Sequence, residues 1–183
     1  MTNLPPESTP PMQRLSSRQV HKTPWLGVRE DQVQMADGRQ TAYTVIECGN
    51  CVGVLPLRAD GHVLMVRQYR YVAGRYTWEM PTGGVRKGES FEDAAQRELA
   101  EEAGHRAGRL QHVCTYHTSK SSIDETAHLF IGRDLQPASA TADEDEDIDV
   151  TAMPLDKVLE LVLSGEITDS MTIIAVLHAV RNG

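Results

Sequence analysis

Polar and apolar residues alternate, with many β-branched side chains, over most of the first 80 positions, and helical spacing replaces this pattern at three places further on. From Arg14 to Cys48 the signals are for strands. Trp25 to Met35 leads into Asp37-Gly38, a strong hairpin turn, and then into Thr41 to Glu47. Three short strands with so little apolar mass do not stand alone, so this piece is expected to pack on another surface. A second strand series begins at Cys51-Val-Gly-Val-Leu55, turns near Asp60-Gly61 and continues through Val63 to about Tyr71. A short strand, Tyr76 to Met80, stops at Pro81. Helical spacing first appears from Ser90 to Ala103, with Ser90 as N-cap, Asp93 three residues on and Gly104 as the terminating glycine. Leu110 to Thr118 and Glu125 to Ile131 read as strands, and a short strand is expected near Val150. Two helices close the chain, Pro154 to Ser164 and Thr168 to about Val180. Residues 1–13 contain four prolines and few large apolar side chains, which predicts a disordered tail. The expected organisation is therefore a tail (1–13), an N-terminal strand region (14–50) and a main domain (51–183).

Composition narrows the function classes. The 183 residues are 40% hydrophobic and 24% charged, which suits one folded core with a small appendage. Eighteen Lys and Arg against 26 Asp and Glu give a net charge of −8, which argues against a general DNA binder. The longest apolar stretch, Met171 to Val180, is far short of the ~20 residues a membrane span needs. The start, MTNLPPESTPP, lacks the basic and apolar regions of a secretory signal, so the expected location is cytoplasmic. Cys48-Gly-Asn-Cys51 is a C-x-x-C with no second pair at zinc-ligand spacing, and buried small residues flanking a turn are expected there.

The chemistry concentrates between Gly83 and Gly104, in GGVRKGESFEDAAQRELAEEAG. Glu98 and Glu102 are four apart, so one helical turn stacks them on one face, with Glu101 beside them. Like charges at this spacing repel in water, and a divalent cation reverses that sign. The expected face is exposed, with Ala94, Ala95 and Leu99 turned to a sheet. Arg97, four after Asp93 and four before Glu101, is placed to hold a carboxylate. A solvated acidic face is the other reading of the same charges.

Gly83, five residues, Glu89, seven residues and then Arg97-Glu98-Leu99-Ala100-Glu101-Glu102-Ala103-Gly104 resembles the signature of the Nudix hydrolases. His105 departs from the aliphatic residue usual after the glycine. The resemblance implies an α+β fold, an α/β/α sandwich around a mixed β-sheet, here preceded by a small antiparallel strand region. It implies Mg²⁺ (or Mn²⁺) held by Glu98, Glu102 and often Glu101, and hydrolysis of a nucleoside diphosphate linked to another group. Val66-Arg-Gln-Tyr-Arg70, Trp78-Glu-Met-Pro-Thr-Gly-Gly84 and Pro24-Trp25-Leu26-Gly27-Val28 resemble ADP-ribose pyrophosphatases and related nucleotide-sugar hydrolases. In that group the N-terminal strands pair with a second subunit, which implies a homodimer. Carried over, Arg70 and Glu79 contact substrate, the Thr82 carbonyl is a metal ligand and Trp25 stacks on the base. The alternatives are a surface ion pair for Arg70 and core packing for Trp25.

Asp143-Glu-Asp-Glu-Asp147 resembles the catalytic loop of the same group, which makes Glu144 the base that activates water and Glu146 a further metal ligand. Glu101 is the next candidate for the base, and a solvated acidic loop is the compositional alternative. The loop Thr118 to Glu125 lacks the proline usual in ADP-ribose enzymes, and Lys120 stands in its place, where it suits a terminal phosphate; a solvated lysine is the other reading. The resemblance implies ADP-ribose or a nucleoside diphosphate sugar as substrate, split at its pyrophosphate bond into a nucleoside monophosphate and a sugar phosphate. Removal of pyrophosphate from an RNA 5′ end is an alternative, and a non-catalytic nucleotide sensor is an alternative of another class.

Overall fold

The computed structural model of the protein describes residues 10–139 and 148–182. Residues 1–9 of the expected tail, and Glu144 and Glu146 with the rest of the acidic run, lie outside the described residues. Contacts divide the chain into two compact units. One runs to Cys48 and takes in Ser119–Glu125; the other holds Gly49–Thr118 and the chain from Thr126 onward.

The first unit is an antiparallel meander of β1 (Met12–Lys22), β2 (Gly27–Met35) and β3 (Gln40–Glu47), in that spatial order. Asp37-Gly38 turns β2 into β3. Gly38 adopts φ 86°, which a side chain resists, and Asp37 Oδ1 accepts from Arg39 N at 3.1 Å. β1 begins at Met12, inside the segment expected as tail, and its register with β2 shifts between Arg14 and Ser16 and again between Gln19 and His21. Every residue of β1 is exposed, whereas Gly27, Asp31 and Val33 of β2 are buried. The loop 119–125 joins this unit through a parallel bridge between Ile46 and Ile123. Asp124 Oδ1 there accepts from Cys48 N at 2.9 Å. Cys48 is exposed, not buried as expected, because it lies past the end of β3, where this loop carboxylate takes its N–H. Cys51 and Cys114 are half-buried.

The second unit has two sheets. The mixed one orders β7 (Thr82–Gly84), β4 (Asn50–Pro56), β9 (Thr126–Pro137) and β8 (His105–His117); β4 and β9 run parallel. The antiparallel one orders β10 (Asp149–Pro154), β5 (His62–Arg70) and β6 (Arg75–Glu79). β4 and β5 are consecutive and joined by the Asp60-Gly61 turn, yet they enter different sheets, linked locally by one bridge between Leu57 and Val63.

Side chains alternate between the two faces with the period of two that a strand imposes. Val52 and Val54 of β4, Leu64 of β5 and Phe130 of β9 pack under α1 (Phe91–Ala103). Leu55, Val63, Met65, Leu129 and Ile131 point the other way, toward α2 (Leu155–Leu163) and α3 (Ser170–Asn182). Both faces are covered, which is why β4 and the middle of β9 are apolar without a polar alternate residue. Helix on one face, strands between and two helices on the other make the α/β/α sandwich of the expected α+β class. Among the described residues no helix is long and apolar enough to cross a membrane.

Candidate active site

α1 carries the box carboxylates and is fixed at both ends. Ser90 Oγ accepts from Asp93 N at 3.0 Å and donates to Asp93 Oδ2 at 2.7 Å. Gly104 ends the helix at φ 63°, with its N–H on Ala100 O at 3.1 Å. His105, the departure from the family pattern, places Nδ1 2.6 Å from Ala103 O and so meets one of the last carbonyls of the helix.

The carboxylate face is not exposed as expected. Glu98 and Glu102 keep only 9% and 7% of their surface. The cause is β7, which passes over this face: Thr82 N donates to Glu102 Oε2 at 3.0 Å. A Cβ built on Gly83 would overlap the Glu98 carboxyl group itself. Glycine is required at 83 because the Glu98 carboxylate lies where a side chain would be.

Arg97 is the hub of the cluster. Nε and Nη2 donate to the two oxygens of Glu89, each at 2.9 Å. Nη1 donates to Glu98 at 2.5 Å and to Glu101 at 3.0 Å, and Nη2 also reaches Gly84 O at 2.8 Å. Arg86 adds a 3.4 Å pairing with Glu101. The planar guanidinium fork suits this bidentate role, which an ammonium cannot fill. The Glu89 bonds, and then those to Glu98, push the Arg97 pKa above its already high ordinary value. In return, the Arg97 hydrogen bonds hold the Glu89 carboxyl below its ordinary 4.5, although burial pushes the other way. As pH falls, the unfolded chain therefore takes up this proton first. The stability from Glu89 is present above 4.5 and is lost as pH falls through the lower folded value. Thermal melts should show the wild type losing more stability on acidification below pH 4.5 than Glu89→Gln does. Parallel curves for the two proteins would contradict this.

A second acid–base pair stands at the strand ends. Arg70 Nε donates to both oxygens of Glu79, at 2.9 and 3.1 Å, and Thr77 Oγ1 donates to Glu79 Oε1 at 2.5 Å. Glu79 is buried, whereas the Arg70 side chain is 40% exposed and turns part of its guanidinium outward. The Glu79 bonds raise the Arg70 pKa first, with smaller contributions from the charges of Glu102 and Asp169. The Arg70–Glu79 fork therefore lies within electrostatic reach of the α1 carboxylates. Arg70 is an ion pair, as one of its two readings had it, but with a buried rather than a surface partner. Thr77 escaped the sequence reading; its place two residues before Glu79 on one strand face was the available signal.

The structure thus brings Thr82, Glu98, Glu101 and Glu102 together, with Arg70 and Glu79 nearby. Trp25, in the turn between β1 and β2, is 86% exposed, so it is not core of the N-terminal sheet. Lys120 is exposed in the loop 119–125.

The residues fit a hard divalent cation. Glu89, Glu98, Glu101 and Glu102 outnumber the guanidiniums of Arg86 and Arg97 two to one, so the cluster keeps negative charge. The donors are carboxylate and backbone oxygens, the ligands Mg²⁺ and Mn²⁺ prefer. Among the described residues no three acidic, His or Cys side chains close into a finished cage.

Residues 49–170 match the model of the NUDIX domain. The chain belongs to the Nudix family. Residues 12–46 match the nucleoside diphosphate sugar hydrolase N-terminal domain. Among curated relatives, the Nudix chain is 30% identical over 166 residues to an ADP-ribose pyrophosphatase of Bacillus subtilis (strain 168), with 90% of each covered. It is 32% identical over 174 residues to an ADP-ribose pyrophosphatase of Mycobacterium tuberculosis, covering 92% of this chain and 84% of that one. A GDP-mannose pyrophosphatase of Pectobacterium atrosepticum is 29% identical over 134 residues, 69% of each. A solved structure described as an ADP compounds hydrolase shares the fold, with TM-score 0.84, 22% identity and 96% of both chains covered. Nudix hydrolases generally use a divalent metal, in accord with the donor set above.

Proposed function

We propose that the protein is a Mg²⁺-dependent pyrophosphohydrolase, with Mn²⁺ as a substitute, that splits ADP-ribose or another nucleoside diphosphate sugar into a nucleoside monophosphate and a sugar phosphate. The observation that carries this reading is the buried Glu98–Glu102 face, closed by Gly83 and ordered by Arg97, beside the Arg70–Glu79 fork. The names of the relatives at 30% and 32% identity support the substrate class.

Glu98, Glu101, Glu102 and the Thr82 carbonyl are the residues that would hold the metal, with Glu146 joining them. When bound, the metal neutralises diphosphate charge and acidifies water. The chain's own groups do the rest. Arg70, oriented by Glu79, presents guanidinium N–H groups to phosphate oxygens, and its charge is not titrated at working pH. Glu144 takes the proton from the attacking water, and Glu101, half-buried next to Arg97, is the next candidate for that step. Trp25 offers an exposed indole face for a base, and Lys120 an exposed ammonium for phosphate. Homodimerisation through the N-terminal strands belongs to this reading. Its support is the exposed apolar set Met12, Leu15 and Val20 on β1, which a single chain leaves in water. The division expected from the sequence, with the dimerising strand region beginning at Met12 rather than at 14 and the catalytic domain at 51–183, and a cytoplasmic location, complete the proposal.

The test is a Mg²⁺ hydrolysis screen over ADP-ribose, nucleotide sugars, dinucleoside polyphosphates, nucleoside triphosphates and triphosphorylated RNA, repeated with two variants. ADP-ribose or a nucleotide sugar should be the best substrate, and fastest release of pyrophosphate from RNA would replace this reading. Glu144→Gln should lower kcat by about 10²- to 10⁴-fold with little change in substrate affinity. Glu146→Gln should instead raise the Mg²⁺ needed for half activity, since an amide is a poorer ligand for a hard cation. Equal small losses in both would reduce the acidic run to a solvated field.

A further inference from the structure

Residues 79–82 join the two sheets of the second unit, and their backbone groups have partners on four different elements. Glu79 ends β6, paired opposite Val66. Pro81 has no N–H to satisfy, and its carbonyl accepts from Val54 N at 3.0 Å. Thr82 N goes to Glu102. The remaining donor is Met80 N–H, in a residue with no exposed surface. It donates to Thr172 Oγ1 at 2.9 Å, 92 residues away.

Thr172 is itself fully buried on α3, and its hydroxyl is oriented by a third group. Asp169 Oδ2 accepts both from Thr172 N at 2.7 Å and from Thr172 Oγ1 at 2.6 Å. With its proton committed to a carboxylate, the hydroxyl can only accept from Met80, so its direction is fixed. Asp169 therefore caps α3 and also sets the acceptor that holds the strand connection. Packing reinforces the hold: a side chain at Gly53 would collide with the Met80 methyl group and crowd that of Met171. The connection so pinned carries Glu79, which aims Arg70, at one end and Thr82, which meets Glu102, at the other.

We infer that Asp169 and Thr172 are a positioning pair: from behind the sheet they set the 79–82 connection and so hold the Arg70–Glu79 fork and the Thr82–Glu102 contact in register. Thr172, with no exposed surface, acts through Met80 rather than on substrate. The inference rests on the proposed function, because it assigns Thr82 to the metal and Arg70 to the diphosphate. Its effect is geometric, since displacements below an ångström at such contacts change affinity and rate several-fold.

The test compares wild type, Thr172→Val and Thr172→Ser in two assays: Mn²⁺ binding without substrate, followed by the electron paramagnetic resonance of the free ion, and steady-state KM and kcat for ADP-ribose. Valine keeps the shape of threonine and leaves the Met80 N–H without its acceptor, whereas serine keeps the acceptor. Thr172→Val should weaken Mn²⁺ binding and raise KM, each by about fivefold or more, and Thr172→Ser should stay within about twofold of wild type. A Thr172→Val protein with lowered melting temperature but wild-type Mn²⁺ affinity and KM would overturn the pair's positioning role. If the valine variant does not fold, Asp169→Asn takes its place, because half-buried Asp169 tolerates an amide that still caps α3 but accepts the hydroxyl proton less strongly. A loss of roughly two- to threefold in Mn²⁺ affinity is then expected, and no loss overturns the proposal. A wild-type protein that neither binds Mn²⁺ nor hydrolyses ADP-ribose would overturn the functional reading instead.

Discussion

Glu98→Gln and Glu102→Gln should each lower the rate of diphosphate hydrolysis at least ~100-fold while leaving the protein folded. Both carboxylates are buried, so the outcome on folding depends on what their partners lose. Arg97 keeps its two bonds to Glu89 and those to Glu101 and Gly84 when residue 98 becomes an amide. At position 102 an amide oxygen still accepts from Thr82 N. What disappears is negative charge at the proposed metal site, where a bound cation would neutralise diphosphate charge. Hydrolysis assays at saturating Mg²⁺, with circular dichroism as the folding control, decide the matter. A Glu98→Gln enzyme with wild-type turnover would remove Glu98 from the metal set.

The second large effect belongs to a residue with no functional group. Gly83→Ala places a methyl group on the Glu98 carboxylate. The backbone there is not in the left-handed region, so alanine is conformationally acceptable and the side chain of Glu98 is what gives way. Its carboxylate must leave both its position over β7 and its 2.5 Å bond to Arg97. Activity should fall about as far as in Glu98→Gln, with only a modest change in melting temperature. Gly84→Ala is the control for the fold, since a Cβ at 84 meets nothing within 4 Å. Retention of full activity by Gly83→Ala would mean that Glu98 works from another rotamer.

The sequence made the box legible because its information is local. Ser90, Asp93 and Gly104 mark the ends of α1, and the Glu98–Glu102 spacing puts two carboxylates on one face without reference to the rest of the chain. The hairpin at Asp37-Gly38 is legible for the same reason. What local pattern does not encode is pairing. β4 and β5 read as successive strands around a good turn, yet β4 takes β7 and β9 as neighbours and β5 takes β6 and β10. β8 starts at His105, five residues before the apolar signal at Leu110, because the ladder with β9 runs on to Pro137 and carries polar residues along. Burial of the carboxylates was equally invisible, since it comes from a strand and a glycine crossing the helix face. The Met80–Thr172 bond spans the chain, and a threonine in an apolar helix stripe gives no hint of such a partner.

β1 lies at the edge of its three-stranded sheet, a position that can recruit strands from any neighbouring chain. Its two register shifts interrupt the row of outward N–H and C=O groups, and Arg14, Arg18 and Lys22 place charged side chains along the same strand, the first two paired with Asp31 and Glu30 of β2. A bulged edge bearing charged side chains stacks identical copies in register less readily than a flat apolar one. Irregularities of this kind disfavour fibrillar stacking, so that a chain whose β1 is not yet covered by a partner does not seed aggregates through its apolar residues.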